Sequence, residues 1–146
     1  MIIMEYCGGA SGPIWGSAFR AAARSCAGQD SLSTEQVAQM LEQMVKGIQT
    51  TGERSFGRGA VVGDKTLMDA LIPCAQAWLD HAAGGESMAQ LFRMGAQAAV
   101  AGAEYTKEIV ARMGRAGTVG ERSLGYPDAG AYALGVIFTY LSEEIK

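Results

Sequence analysis

From Val37 the apolar side chains fall at Val37, Met40, Leu41, Met44, Val45 and Ile48. Intervals of three and four place them on one face of a helix. Ser33, with Gln36 three places on, forms a capping box at its start, in which each side chain satisfies a backbone N–H of the other residue; the spacing predicts a helix over 33–48. The same device, Ser87 with Gln90, opens a pattern through Leu91, Met94, Ala98, Gly102, Tyr105 and Ile109 to Met113. It stops at Gly114 and predicts a helix of about 27 residues, roughly 40 Å long. Between these, Leu67, Ala70, Leu71, Cys74 and Trp78 make a further face over 64–82, which Pro73 is expected to bend. Residues 12–26 read as an Ala-rich helix with Pro13 near its first turn, where a missing N–H costs little. In 129–145 the run "GVIFTYL" taken alone fits a strand. Ala131, Leu134, Phe138 and Leu141 keep helical spacing, however, and four helices offer no sheet to join. The last segment is therefore read as helix and the fold class as all-α.

Composition narrows the setting. With 146 residues, 49% of them hydrophobic, the chain is long enough for a single domain, 1–146, that buries roughly two-thirds of its unfolded surface. A net charge of -3 with 18% charged residues supplies no basic stripe for a phosphate backbone, so nucleic acid is not expected as a partner. Every apolar run is interrupted by Gly, Arg or Glu well before about 18 residues, so no membrane span is expected. Met1 to Cys7 lacks the basic and apolar regions of a signal peptide, and the expected location is the cytoplasm. Cys7, Cys26 and Cys74 are widely spaced, odd in number and joined by no Cys-x-x-Cys, and His81 is the one histidine. No metal site is expected from them; free thiols in a reducing compartment are. The methionines fall on helical faces and read as core.

The connections carry the candidate chemistry. Residues 49–63 and 114–128 are each about 15 residues long, rich in Gly and Arg, and both contain Gly-Glu-Arg-Ser; connections of that length in a compact domain are often functional. "CGGASG", opening the first helix, offers unobstructed backbone N–H groups, a helix N-terminus and the Ser11 hydroxyl, which together can cradle a phosphate. The same glycines also suit a purely structural turn. "GAVVGDKT" imitates a phosphate-binding P-loop, but Asp64 separates Gly63 from Lys65 and no strand precedes it, which argues against a P-loop kinase. Asp64 is expected to cap the next helix, and Thr66 either faces a ligand or does not. Arg115 and Arg122 can take phosphate oxygens through their planar donors, or they can belong to a solvated loop in which Glu121 pairs with an arginine. Asp128 is expected to start the last helix. With one histidine in no suitable context, no Ser-His-Asp, Cys-His or His-x-x-x-His set is available.

Three motifs nevertheless occur in a fixed order: Gly-Gly-Ala-Ser-Gly-Pro with Gly16; Gly-Asp-Lys-Thr with Asp69 and Pro73; and Gly-Arg-Ala with Gly-Glu-Arg-Ser and Asp-x-Gly-Ala. Over essentially the whole chain this set resembles the nucleotide-binding L subunit or domain of the dihydroxyacetone kinase family. The resemblance implies antiparallel amphipathic helices arranged as a barrel or bundle, with ADP or ATP and Mg2+ held by loops at one end. It implies a K-type subunit that holds dihydroxyacetone covalently on a histidine, and as donor either ATP or a phosphotransferase-system partner. Carried over position by position, it implies nucleotide contacts from Gly9, Ala10, Ser11, Gly59, Thr66, Leu67, Arg115, Asp128, Ala129 and Gly130. Arg58 stands where the family usually has glycine, leaving Gly59 as the nearer match, and Ala129 stands where Asp-Pro-Gly has proline. A Gly-Asp-x-Asp-His-Gly motif, whose aspartates hold magnesium in the family, does not occur in these residues. The resemblance therefore implies an N-terminally truncated domain that begins inside a helix and is doubtful as a catalyst by itself. Apolar faces left uncovered by absent helices would favour a homo-oligomer or a partner subunit. The alternative carried with it is a non-enzymatic helical module that docks a partner and ignores nucleotide.

Overall fold

The computed structural model describes residue 9 and residues 11–145. Five α-helices dominate the described residues: α1 (Ser11–Ser25), α2 (Thr34–Phe56), α3 (Met68–His81), α4 (Met88–Tyr105) and α5 (Ala129–Glu144), with 3-10 turns at Thr106–Glu108, Arg115–Thr118 and Gly120–Ser123. Among the described residues there is no strand, and the fold is all-α. None of these helices is long and apolar enough to cross a membrane. The chain divides into two compact units, the first ending at Ala60 and the second beginning at Val61.

In the first unit α1 and α2 form a helical hairpin. Gly12, Gly16, Ala18 and Ala22 of α1 and Val37, Ala38, Leu41 and Ile48 of α2 are buried. The contact is close because its residues are small: a Cβ on Gly47 would lie 2.9 Å from the Ser17 carbonyl oxygen and 3.0 Å from the Ala21 Cβ. The capping box closes as expected, Ser33 Oγ accepting from the Gln36 N–H at 3.3 Å and Gln36 Oε1 from the Ser33 N–H at 2.8 Å. The far end differs from the sequence reading, since α2 does not stop near residue 48 but runs to Phe56. A glycine such as Gly52 weakens a helix by about 1 kcal/mol. Here the returning chain compensates, with the Arg58 carbonyl packed on Gly52 and the Gln49 amide donating to the Ala60 carbonyl at 3.1 Å. Gly57, at φ 78, ends the helix in the left-handed conformation that glycine adopts without strain.

In the second unit α3 packs against both α4 and α5, which also pack on each other. Met68, Asp69, Ala70, Leu71, Cys74, Ala75 and Trp78 are all buried. Trp78 meets Phe92 edge to face with ring centroids 4.9 Å apart. Gly95 leaves room for it, because a Cβ there would lie 2.6 Å from the indole nitrogen. Burial pushes the Cys74 thiol up to about 12, so it stays protonated and serves as a small apolar group. Pro73 lies inside α3 and has no N–H to give the carbonyl of residue 69. That carbonyl instead faces α4, where only Gly102 admits it: a Cβ at 102 would sit 1.9 Å from the Asp69 oxygen.

Ser87 and Gln90 form the second capping box, but α4 ends at Tyr105 rather than continuing to residue 113. Beyond it Ile109 is extended, at φ -119 and ψ 151, and the Lys107 carbonyl accepts from the Gly125 N–H at 2.9 Å. The helical spacing of Ile109 and Met113 is overridden by these tertiary hydrogen bonds. Segment 129–145 is helical, with its first amides capped by Asp128.

Candidate functional site

The site residues expected from the sequence divide between the two units. In the first, Gly9 has φ 64, Ser11 opens α1 and is exposed, and Ala10 lies outside the described residues. The first turn of α1 holds no acidic side chain, so none of its own residues opposes an anion at the positive helix end. Gly59 lies back along α2, where a Cβ would come within 2.9 Å of the Gln49 Cβ.

In the second unit the Asp-Lys-Thr loop is built around buried charge. Asp69 is 0% exposed and lies in the first turn of α3, from which its carboxylate reaches back to the loop. Oδ1 accepts from the Gly63 N–H at 2.6 Å and Oδ2 from the Thr66 N–H at 2.7 Å. Thr66 Oγ1 accepts from the Met68 N–H at 3.2 Å. The expectation that Asp64 caps the helix is corrected: its Oδ2 accepts from the Val61 N–H at 2.9 Å and closes the loop on itself, and its carbonyl accepts from the Arg112 N–H at 3.0 Å. The N-cap position of α3 is Leu67, which has no side-chain cap, and Asp69 in the first turn instead holds the Gly63 and Thr66 amides of the preceding loop.

Lys65 is 4% exposed and takes φ 61, a left-handed conformation uncommon outside glycine. Its ammonium group donates to the Ile109 and Ser123 carbonyls, tying the loop to residues 106–128. Ser123 Oγ in turn accepts from the Ala111 N–H at 3.1 Å. Burial lowers the pKa of Lys65, while the nearby negative charge of Asp128 opposes that change.

Asp128 caps α5, accepting from the Ala131 N–H at 2.8 Å, while its own N–H donates to Thr106 Oγ1 at 2.8 Å. Burial raises its pKa; the Ala131 and Gly130 amides pull it down, Asp69 pushes it up, and Lys65 lowers it. Ala129 is exposed at the start of α5. Gly130 meets Leu67, since a Cβ on Gly130 would lie 2.9 Å from the Leu67 Cβ. The second unit thus brings Thr66, Leu67, Asp128 and Gly130 into one neighbourhood. Arg115 opens a 3-10 turn after Gly114, which has φ 66. His81 is on the surface, 3.6 Å from Glu86 through Nδ1.

Lys65, Thr106 and Ser123 are the residues that sequence reasoning missed. They carry no periodic signal, because a buried lysine, threonine or serine is defined by partners 22 to 58 residues away. Among the described residues no three His, Cys, Asp or Glu side chains converge to hold a metal ion.

Comparisons with known proteins give the family of the chain. The model of the DAK2 domain matches residues 1–143. Over 146 residues the chain is 32% identical to the ADP-binding subunit DhaL of the PEP-dependent dihydroxyacetone kinase of Escherichia coli K12, covering all of this chain and 67% of that subunit. It is 35% identical over 138 residues to an L-erythrulose kinase of Pectobacterium atrosepticum, covering 94% of this chain and 22% of the kinase. To the triokinase/FMN cyclase of Mus musculus it is 30% identical over 146 residues, covering 100% of this chain and 24% of that enzyme. The chain belongs to the DAK2 domain family. It spans about two-thirds of the subunit from E. coli and about a quarter or less of the two longer enzymes.

Proposed function

We propose that this chain is the nucleotide-binding component of a kinase acting on dihydroxyacetone or a related small ketose. It would bind ADP or ATP and work with a K-type subunit that holds the ketose, the phosphoryl group coming from ATP or from a phosphotransferase-system partner. The observation that carries this reading is the double clamp of Asp69 on the Gly63 and Thr66 amides, which fixes Thr66 and Leu67 beside the Asp128–Gly130 start of α5. The names of the relatives, an ADP-binding subunit among them, support the same assignment.

The donor set suits a nucleoside diphosphate. In the second unit the Leu67–Gly130 contact forms an apolar surface beside the Asp128 start of α5; in the first unit, taken by itself, the Ser11 hydroxyl and the amides opening α1 suit an anion. Arg115 is assigned to the phosphates on the chemistry of its guanidinium group. When bound, the nucleotide supplies the phosphoryl group; the part of these residues is to orient it and balance its charge. The described residues do not by themselves fit a magnesium ion.

The test is calorimetry of the full chain with ADP, with and without magnesium. Saturable binding with a dissociation constant in the micromolar range, about -8 kcal/mol, is expected. It should weaken about tenfold or more in Ser11→Ala and in Gly130→Val, each costing at least about 1.4 kcal/mol of binding. No heat at millimolar nucleotide, or an unchanged affinity in both variants, overturns the reading.

The second unit also exposes Tyr132, Val136, Ile137 and Tyr140 on α5. Apolar groups in such number favour association, and the proposal includes a homo-oligomer joined there. Sedimentation velocity at rising concentration should detect it, and Val136→Glu with Tyr140→Glu should return a monomer; a wild-type monomer throughout rejects this part.

A further inference from the structure

Apart from the nucleotide loops, the first unit carries a long polar groove between α1 and α2, about 840 Å³ in volume. Its floor is made by Ser17, Ala21 and Gly47, where the two backbones come closest. Its walls carry Arg20, Arg24, Lys46 and Arg54. Among the described residues Glu42 is the one carboxylate lining it, and it pairs with Lys46 at 2.7 Å. The chain holds 12 Lys and Arg against 15 Asp and Glu. Four of the 12 cations line this groove, and with Lys46 paired to Glu42 the described lining keeps three more positive than negative charges.

The spacing of the cations indicates what fits. Ala21 lies against Gly47, and the connection 26–33 turns α2 back along α1. Arg24 lies three residues beyond Ala21 on α1, and Arg54 lies seven residues beyond Gly47 on α2. Because the helices run in opposite directions the offsets add to ten residues, about 15 Å along the groove at 1.5 Å per residue. A single phosphate or carboxylate group cannot touch both ends. An extended segment with several acidic side chains can, its carboxylates meeting arginines that offer paired donors.

We propose that the α1–α2 groove is a docking surface for an acidic segment of a partner protein. Rim cations of this kind set the encounter rate and select partners by charge, so binding is salt-sensitive and its loss on charge reversal is large. The nucleotide residues assigned above are not needed for it.

Fluorescence anisotropy with a fluorescein-labelled decaglutamate peptide and the full chain tests this at low salt. Saturable binding is expected, weakening about tenfold or more in Arg24→Glu/Arg54→Glu and on raising salt from about 50 mM to about 300 mM. Arg93→Glu, an exposed cation on α4 in the second unit, should leave it unchanged. If the charge reversal prevents folding, Arg24→Gln/Arg54→Gln takes its place, with a loss of about threefold or more expected. Three results overturn the proposal: no saturation, an equal loss in Arg93→Glu, or tighter binding of a DNA duplex than of the peptide.

Discussion

Gly102→Ala is expected to lower the melting temperature by roughly 4–8 °C in a thermal scan, a net loss of about 2 kcal/mol. The added methyl group would meet the Asp69 carbonyl oxygen at 1.9 Å. The Asp69 oxygen is a backbone atom and the position of a Cβ is set by its own backbone, so neither can rotate away. Helices α3 and α4 must move apart around Trp78 and Leu91, both 0% exposed. Overpacking a close-packed core costs about 1–3 kcal/mol and sometimes more. The better helix propensity of alanine returns about 1 kcal/mol and does not reverse the sign. Gly117 serves as the control: its nearest neighbour to an added Cβ is the Arg112 carbonyl carbon at 3.4 Å, an ordinary contact. Gly117→Ala should melt with the wild type. An unchanged melting temperature for Gly102→Ala would mean that the α3–α4 approach is looser than described.

Asp69→Ala is expected to cost about 3–5 kcal/mol of stability and, in the protein that remains folded, to weaken ADP about tenfold or more. Two backbone amides, those of Gly63 and Thr66, lose a charged acceptor at once. Each buried unsatisfied donor costs about 1–3 kcal/mol. That is a large share of the 5–15 kcal/mol typical of a folded protein. Asp69→Asn keeps an acceptor oxygen for one of the two amides and should show a smaller loss. Urea titration measures the first effect and calorimetry at low temperature the second. If ADP affinity is unchanged while stability falls, Asp69 supports the fold but does not position Thr66 and Leu67 for a ligand.

Local signals in the sequence were reliable where the chemistry itself is local. Both capping boxes depend on side chains three residues apart, and both form. Asp128 likewise starts α5. The strand-like run "GVIFTYL" is helix, because a short apolar run does not fix the period and the wider spacing does. Helix ends were less legible. The extension of α2 to Phe56 rests on Arg58 and Ala60 folding back onto it, and the early end of α4 rests on tertiary hydrogen bonds to Lys107 and Ile109. The loop holding Thr66 and Leu67 was recognisable from its motif, but its internal wiring was not. Asp64 and Asp69 carry the same functional group, and only the direction of the chain beyond Gly63 decides which loop amides each one meets.

One indole lies in each unit: Trp15, half-buried and 6.2 Å from the Phe19 ring in the first, and Trp78, sealed in the second with its N–H unpaired. The molecule thus carries two intrinsic optical probes of different colour, the sealed one emitting at shorter wavelength. Mutating either to phenylalanine leaves a spectrum that follows one half of the polypeptide by itself, so the order in which the halves melt is readable without attaching a dye.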